Sequence, residues 1–440
     1  MKRKGSILIL LIIITSTLSA QDTLLCKALS NKFLNHLIKF EYDTAYDMFD
    51  KTVKEKFAKE KLKEVWQGFN DKMGKLTDYS KISIAVKLPF TSVTTTLVWE
   101  KSSIDMKVSF NAEKKIVGFF FLPSEMKTIS KIPGYANKEA FTETAIEVKT
   151  GMYVLPGLIT KPKINDKVPL VILVHGSGPN DRNETIGPNQ VFRDLAYGLS
   201  SNGIAVIRYD KRTKVYGSEM ANLPNLTVAD ESIDDAVSAI KLAKTIPGID
   251  TNKIFIIGHS LGGMLAPRIA TQMPSLAGII VMAGNSRKFE ELLLEQYEYI
   301  FSLDGISKDD KEAISELKHQ IETLHSKDFS LNTPKNKLPL GLPTSYWMDL
   351  NKYNQKEVAK KLAMPMLFLQ GERDYQVTMV DFNGWKKALS TNKNASFISY
   401  PDLNHCFMTG KGKATPAEYE KPGNVSEEVI KNITECLKKH

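Results

Sequence analysis

Three residues far apart in the chain have the types and settings of a nucleophile, its base and the acid that orients the base. Ser260 stands in "GHSLGG" (258–263), directly behind the β-forming run "NKIFII". A serine between glycines at that junction is the pattern of a G-x-S-x-G turn, which holds a hydroxyl out at the end of a strand. Glycine and serine are also ordinary turn residues, so the pattern gains meaning only from its surroundings. A serine hydroxyl is a weak nucleophile until a base takes its proton, and the base needs an orienting acid. Of seven histidines, His36 lies in the N-terminal block and His440 is the last residue. His175 ends the run "PLVILV", His259 adjoins the serine and should project elsewhere, and His319 and His325 fall in one helical segment. His405 in "PDLNHCF", in the loop after the last predicted strand, is left as the base. For the acid, "PMLFLQGERDYQV" places Asp374 just beyond another strand end, with Glu372 two residues nearer and Asp402 just before His405. Asp374 is preferred, being far enough out to turn back toward the imidazole.

Acyl transfer also needs preorganised donors for its oxyanion. The backbone N–H of Leu261, following the nucleophile, supplies one. The N–H of Ser177, after His175-Gly176 in "HGSGPNDRNE" (175–184), is the expected second. Arg208, Lys211 and Arg212 of "RYDKR" (208–212) either steer an acidic group or, the preferred reading, support the loop through salt bridges.

These residues need elements to hold them. From 141 onward the chain alternates strand and helix: an opening hairpin ("TAIEVKT", "MYVLPGLITKP"), then "PLVILVH", "GIAVIRYD", "KIFIIG", "LAGIIVMAG", "PMLFLQG" and "ASFISYP", with helical segments between. Short continuous apolar runs separated by helices predict a mostly parallel sheet covered on both faces. Pro267, inside the helix after Ser260, predicts a kink or a local break. The alternation lapses between Ala283 and Met364, where helices around 287–301 and 308–326 suggest a cap, about 286–350, over the strand ends. Before the linker 124–140, residues 22–75 carry helical periodicity and 79–123 strand periodicity, the order of a small α+β domain over 22–123. "MKRKGSILILLIIITSTLSA" has the basic start, short apolar run and small final residues of a signal peptide, with cleavage expected after Ala20. A periplasmic or extracellular location follows, without a stable membrane span once the leader is gone.

Residues 141–440 resemble the α/β-hydrolase superfamily, in which the order Ser260, Asp374, His405 is the usual one. More closely they are similar to the secreted bacterial esterases that carry "HGSGPNDR", "IRYDKRTKVYG", "GHSLGG" and "GERDYQV". The resemblance implies an α/β-hydrolase fold with a helical cap, carboxylester hydrolysis through an acyl-enzyme, and no cofactor. It carries over Ser260, Asp374 and His405 as the triad and Ser177 and Leu261 as oxyanion donors. The N-terminal block resembles the cone-shaped, nuclear-transport-factor-like or cystatin-like modules that precede such hydrolases, by element order and texture alone.

Charge and cysteines bound the rest. The formal net charge of +9 falls to +6 once Lys2, Arg3 and Lys4 leave with the signal, and basic and acidic residues are interspersed, so nothing demands nucleic acid. Cys26, Cys406 and Cys436 are too scattered for a zinc cluster, although an oxidising compartment allows one bridge, Cys406 with Cys436. A small-molecule ester is the expected partner, and a homodimer is left open. Three rivals share the pattern: a prolyl-oligopeptidase-type peptidase or amidase, with Glu290 or Glu291 as candidates for an amino-terminus site; a non-catalytic ligand-binding protein on a relict fold; and an acyltransferase.

Overall fold

The structure is a computed structural model that describes residues 7–79, 82–87, 89–100, 102–123 and 131–440. The basic start of the expected leader and the stretch 124–130 of the expected linker lie outside the described residues. The chain divides into two compact units, Met1–Lys127 and Thr128–His440.

In the first unit, helices α1 (Ile7–Ile38) and α2 (Lys59–Met73) accompany an antiparallel sheet. Its strands are β1 (Leu76–Asp78), β2 (Ile82–Lys87), β3 (Phe90–Trp99), β4 (Ser103–Phe110) and β5 (Ile116–Pro123). The order is β1-β3-β4-β5, with β2 also on β3. Period-two sequence decides which face is covered: Val93, Leu97 and Trp99 of β3 and Met106, Val108 and Phe110 of β4 are buried together with Phe33, Leu34 and Leu37 of α1 and Trp66 of α2. Among the described residues no helix is long and apolar enough to cross a membrane.

The second unit is built on eight strands: β6 (Phe141–Thr150), β7 (Tyr153–Pro162), β8 (Val168–Val174), β9 (Ala205–Tyr209), β10 (Ile249–His259), β11 (Gly278–Met282), β12 (Met366–Gly371) and β13 (Ala395–Tyr400). They order as β13-β12-β11-β10-β8-β9-β7-β6. Every pairing from β9 to β13 is parallel, and the β6–β7 hairpin joins antiparallel through β7. "PLVILV" shows why the central strands are continuous apolar runs. Leu170, Ile172 and Val174 enter one core with α4 (Asp234–Ala243), α5 (Leu261–Gln272) and α9 (Met379–Ala388). Val171 and Leu173 enter another with α3 (Val191–Ser201) and α10 (Glu427–Lys439). The fold is therefore α/β, with a mostly parallel sheet between helical layers.

Between β11 and β12 the chain inserts α6 (Phe289–Ser302), α7 (Lys308–His325), two short 3₁₀ turns, α8 (Thr344–Lys352) and a short helix Gln355–Lys360. Of the kink or break expected at Pro267 no break forms, and the bridge that an oxidising compartment would allow is not made. Helix α5 runs unbroken from Leu261 to Gln272 across Pro267. Met264, Leu265, Ala266, Ile269 and Ala270 are buried around it, so tertiary packing holds the turn that the missing N–H weakens. Cys406 and Cys436 carry no disulfide. Cys406 is sealed in the core beside His405, where burial pushes its thiol well up, while Cys436 is only partly buried on α10.

Candidate active site

The C-terminal ends of the parallel strands β8, β10, β12 and β13 lie toward one side of the sheet, with β11 between β10 and β12, and each of the four is followed by one part of the candidate site. Ser260 lies between β10 and α5 with φ 55° and ψ −118°, left-handed backbone that a side chain rarely adopts. The turn is enforced from both sides. The Ser260 N–H donates to the Met282 carbonyl at 2.9 Å, and its own carbonyl accepts from the Met264 N–H at 3.0 Å. A Cβ on Gly258 would lie 2.2 Å from the Gly262 carbonyl oxygen, and one on Gly262 would lie 2.2 Å from the Val174 oxygen. Only glycines let strand and helix approach this closely.

His405 sits in the loop after β13. Its Nδ1 hydrogen-bonds to Asp374 Oδ2 at 2.7 Å, and both side chains are buried. Asp374 is held in turn: Oδ2 accepts from Gln370 Nε2 at 3.1 Å, and Oδ1 accepts the N–H groups of Gln376 at 2.7 Å and Val377 at 3.1 Å. The carboxylate has no freedom left, and a carboxylate facing Nδ1 keeps that nitrogen protonated and Nε2 free as a base. The rival acids are elsewhere. Glu372 is exposed and accepts from Ser399, and Asp402 is exposed. Strand β12 meets the histidine loop closely, since a Cβ on Gly371 would lie 2.4 Å from the Leu403 oxygen.

Leu261 opens helix α5, where backbone N–H groups lack intrahelical acceptors. Ser177 follows β8, and its neighbour Gly176 packs against Ser260: a Cβ there would stand 3.2 Å from Ser260 Cβ. Ser177 also lines a cavity of about 450 Å³ together with Met220, Leu226, Phe289, Leu342 and Tyr346, mostly apolar side chains contributed in part by the insertion.

The basic residues of "RYDKR" are consumed internally. Arg208 pairs with Glu143, Lys211 with Glu231 and Arg212 with Asp235. Arg182 clamps Asp210 through Nε at 2.9 Å and Nη2 at 2.6 Å, fastening the loop after β8 to the end of β9. These are loop supports, and none is left over to steer an acidic group.

Residues 167–411, more than half of the chain, match the family described as serine aminopeptidase, S33. The chain belongs to that family. Esterase EstD of Thermotoga maritima is 37% identical over 407 residues, covering 92% of this chain and 94% of that protein. The chain is thus a serine hydrolase acting on esters, on an α/β-hydrolase fold. Residues 30–119 match a family described only as a protein of unknown function, DUF3887. Among solved structures, Est1E from Butyrivibrio proteoclasticus is 17% identical with a TM-score of 0.42, over 67% of this chain and 96% of that one. The Pyrococcus furiosus esterase Pf2001 is 17% identical with a TM-score of 0.44, over 68% and 91%. A Mycobacterium tuberculosis puromycin-hydrolysing peptidase is 14% identical with a TM-score of 0.44, over 82% and 48%.

Around this candidate site the structure adds residues that pattern reading passed over. His259, expected only to project away from the serine, lies with its ring centroid 4.7 Å from that of His405. Its Nδ1 faces Glu184 Oε2 at 2.9 Å and its Nε2 faces the His405 carbonyl oxygen at 2.9 Å. Both ring nitrogens thus face acceptors, which only the doubly protonated ring can satisfy. Burial opposes that charge, but the Glu184 carboxylate and the His405 carbonyl outweigh it and raise the imidazole above its ordinary value. Glu184 is held below the ordinary range despite complete burial, because His259, His175 and the Gly176 N–H favour its anion. His175 is buried and pushed down by desolvation. Its Nε2 bonds the Tyr209 carbonyl at 2.6 Å and its ring stacks on Phe192. Nothing in the sequence near Glu184 marks it as a partner of His259, 75 residues away.

Proposed function

We propose that this esterase hydrolyses small or medium carboxylic esters through Ser260, His405 and Asp374 by way of an acyl-enzyme. His405 Nε2 takes the Ser260 proton as the hydroxyl oxygen attacks the ester carbonyl. The N–H groups of Ser177 and Leu261 receive the oxyanion, and His405 then protonates the departing alcohol. A water deprotonated by the same imidazole releases the acid and restores Ser260. The observation that carries this reading is the 2.7 Å bond from His405 Nδ1 to a carboxylate fixed by three further donors. It sets the tautomer that general-base chemistry needs.

The cavity beside Ser177 supports an apolar acyl or alcohol group of modest size. The family description keeps peptide bonds in view as the second reading. A peptidase taking a free amino terminus needs an unneutralised carboxylate where the substrate lies. Glu231 lines the cavity but is already matched by Lys211 and Tyr346. Glu290 is buried in the insertion with neither carboxylate oxygen hydrogen-bonded among the described residues, and it does not line the cavity; Glu291 is exposed. These placements favour a neutral ester. Hydrolysis of p-nitrophenyl esters of graded acyl length, beside aminoacyl anilides, tests it. Activity should peak at short to medium acyl groups, be negligible on the anilides and vanish in Ser260→Ala; faster turnover of the anilides would select the peptidase.

The leader "MKRKGSILILLIIITSTLSA" supports export to the periplasm or beyond. Cleavage after Ala20 leaves intact the part of α1 whose Phe33, Leu34 and Leu37 pack in the first unit. Sequencing of protein from an envelope fraction should give Gln21 as the first residue, and an intact Met1 refutes processing.

A further inference from the structure

One peptide plane in the loop after β8 is held by a buried charge. The Gly176 carbonyl accepts from Lys211 Nζ at 2.7 Å and from Asn180 Nδ2 at 3.3 Å. The N–H at the other end of the same peptide belongs to Ser177 and has no hydrogen-bond partner among the described residues. In a trans peptide the C=O and N–H point in opposite directions. A carbonyl pinned toward Lys211 therefore sends the Ser177 N–H out on the far side of the peptide, in a loop already packed against Ser260.

Lys211 is 2% exposed, and a buried ammonium persists only with a partner. That partner is Glu231, in a single π-helical turn over Ala229–Ile233, a local irregularity that recurs at functional sites. The other oxygen of Glu231 accepts from the Tyr346 hydroxyl at 2.5 Å, and Tyr346 belongs to α8 of the insertion. A single chain of contacts thus runs from the insertion through Tyr346, Glu231 and Lys211 to the Gly176–Ser177 peptide. Ser177, Glu231 and Tyr346 all line the 450 Å³ cavity.

We propose that Lys211 is the positioning residue of the oxyanion hole, fixing the Gly176–Ser177 peptide with the Ser177 N–H toward the developing oxyanion, and that Glu231 and Tyr346 tie this peptide to the wall of the substrate cavity. The inference rests on the reading of Ser260 as the nucleophile. Rotating this peptide would turn a carbonyl toward the oxyanion and repel it, but rotation must break a charge-assisted bond to an ammonium that has no water to replace it. The same bond polarises the amide and strengthens its N–H as a donor. Because Glu231 balances Lys211, the fixing charge brings no net charge beside the nucleophile. A substrate group that fills the cavity touches Tyr346 and Glu231, so occupancy bears on the element that holds the donor.

The test uses full-length enzyme with Lys211→Met combined with Glu231→Gln, so that no buried charge is stranded. Two readouts are taken: kcat and KM on p-nitrophenyl butyrate, and the ionisation of the hemiketal formed by Ser260 with a ¹³C-labelled aryl trifluoromethyl ketone, followed by NMR. A folded double variant should lose on the order of 10²-fold in kcat with KM within about threefold, the size of losing one oxyanion donor. The hemiketal oxygen should ionise at least about one pH unit higher, since its anion has lost a donor. Loss of folded fraction alone would leave that ionisation unmoved. Tyr346→Phe, which keeps both charges, should give the same pattern at about three- to tenfold and serves if the double variant does not fold. Turnover and hemiketal ionisation unchanged in either folded variant overturn the proposal. Ser260→Ala is the control: residual wild-type turnover there refutes the nucleophile itself, whereas an inactive Ser260→Ala beside a fully active Lys211 variant refutes only the role of Lys211.

Discussion

Asp374→Asn is the substitution whose outcome the structure fixes most tightly. The aspartate accepts four hydrogen bonds, from His405 Nδ1 and Gln370 at Oδ2 and from the Gln376 and Val377 N–H groups at Oδ1. Asparagine keeps one oxygen and replaces the other with an NH₂ that cannot accept. If the NH₂ takes the Oδ1 position it faces two backbone donors that cannot reorient, each stranded at about 1–3 kcal/mol. If it takes the Oδ2 position, Gln370 keeps its bonds to the Val377 and Gly371 carbonyls. The imidazole there can answer by moving its proton from Nδ1 to Nε2. The second arrangement wins, and it places a proton on the nitrogen that must act as base. The expected loss in kcat is on the order of 10⁴-fold, about 5.4 kcal/mol of barrier, with the fold kept. Steady-state kinetics on p-nitrophenyl butyrate and the rate of Ser260 labelling by a fluorophosphonate should fall together. Retention of a tenth or more of wild-type kcat would refute the assignment of the acid, and a matching loss in Glu372→Gln or Asp402→Asn would redirect it.

Other expectations follow from particular contacts. His259 is raised and Glu184 lowered, so the first contributes stability fully below the ordinary histidine value of 6.5 and loses it as pH rises through the raised value. Glu184 contributes fully above its ordinary 4.5 and loses it as pH falls through the depressed value. Thermal melts of wild type against Glu184→Gln with His259→Gln should therefore differ most between about pH 4.5 and 6.5, converging on either side; a difference flat from pH 4 to 9 contradicts the ion pair. Gly262→Ala drives a Cβ to 2.2 Å from the Val174 oxygen and should cost at least about 3 kcal/mol by urea unfolding. Gly134→Ala meets nothing within 4 Å and should stay within about 0.5 kcal/mol. A fragment Thr128–His440 should fold and hydrolyse p-nitrophenyl butyrate, because every candidate site residue lies within it. Starting at residue 136 instead removes Tyr135, whose hydroxyl bonds the Val425 carbonyl at 2.8 Å, and Lys131, whose carbonyl accepts from Arg193; its melting temperature should be lower.

The fold class was legible because its strands declare themselves locally: "PLVILV" and "KIFII" are apolar on both faces, which only a sheet covered twice requires. The candidate triad was legible because each member follows a predicted strand, so the expected strand ends also gave the expected positions of Ser260, Asp374 and His405. What stayed hidden depends on pairing across the fold. Glu184 and Glu231 carry no local pattern, and their meaning comes from a histidine 75 residues on and from a lysine 20 residues back. Lys211 was read as loop support, but which atom it supports is a matter of distance alone. Pro267 is a different case: the local rule allowed a break, and the burial of most of α5 accompanies an unbroken helix.

The two buried ion pairs hold the parts of the site that the sheet does not. Ser260 is fixed by β10 and α5, but His405 and Ser177 lie on loops, where position must come from elsewhere. Glu184 with His259 grips the His405 carbonyl at 2.9 Å, and Glu231 with Lys211 grips the Gly176 carbonyl at 2.7 Å. Burying such pairs is seldom a net gain in stability, since desolvation of each ion cancels most of the attraction. Removing one partner, by contrast, strands the other and costs about 3–5 kcal/mol. That asymmetry suits a positioning role: the pairs add little to folding, yet strongly resist any motion that separates them. In both networks the cation donates to the backbone of a residue beside the candidate triad while the anion holds the cation, Glu184 also accepting from the Gly176 N–H. A loop beside the candidate site is then held through its carbonyl, and where an anion faces the cavity, as Glu231 does, its charge is already matched by Lys211 and Tyr346.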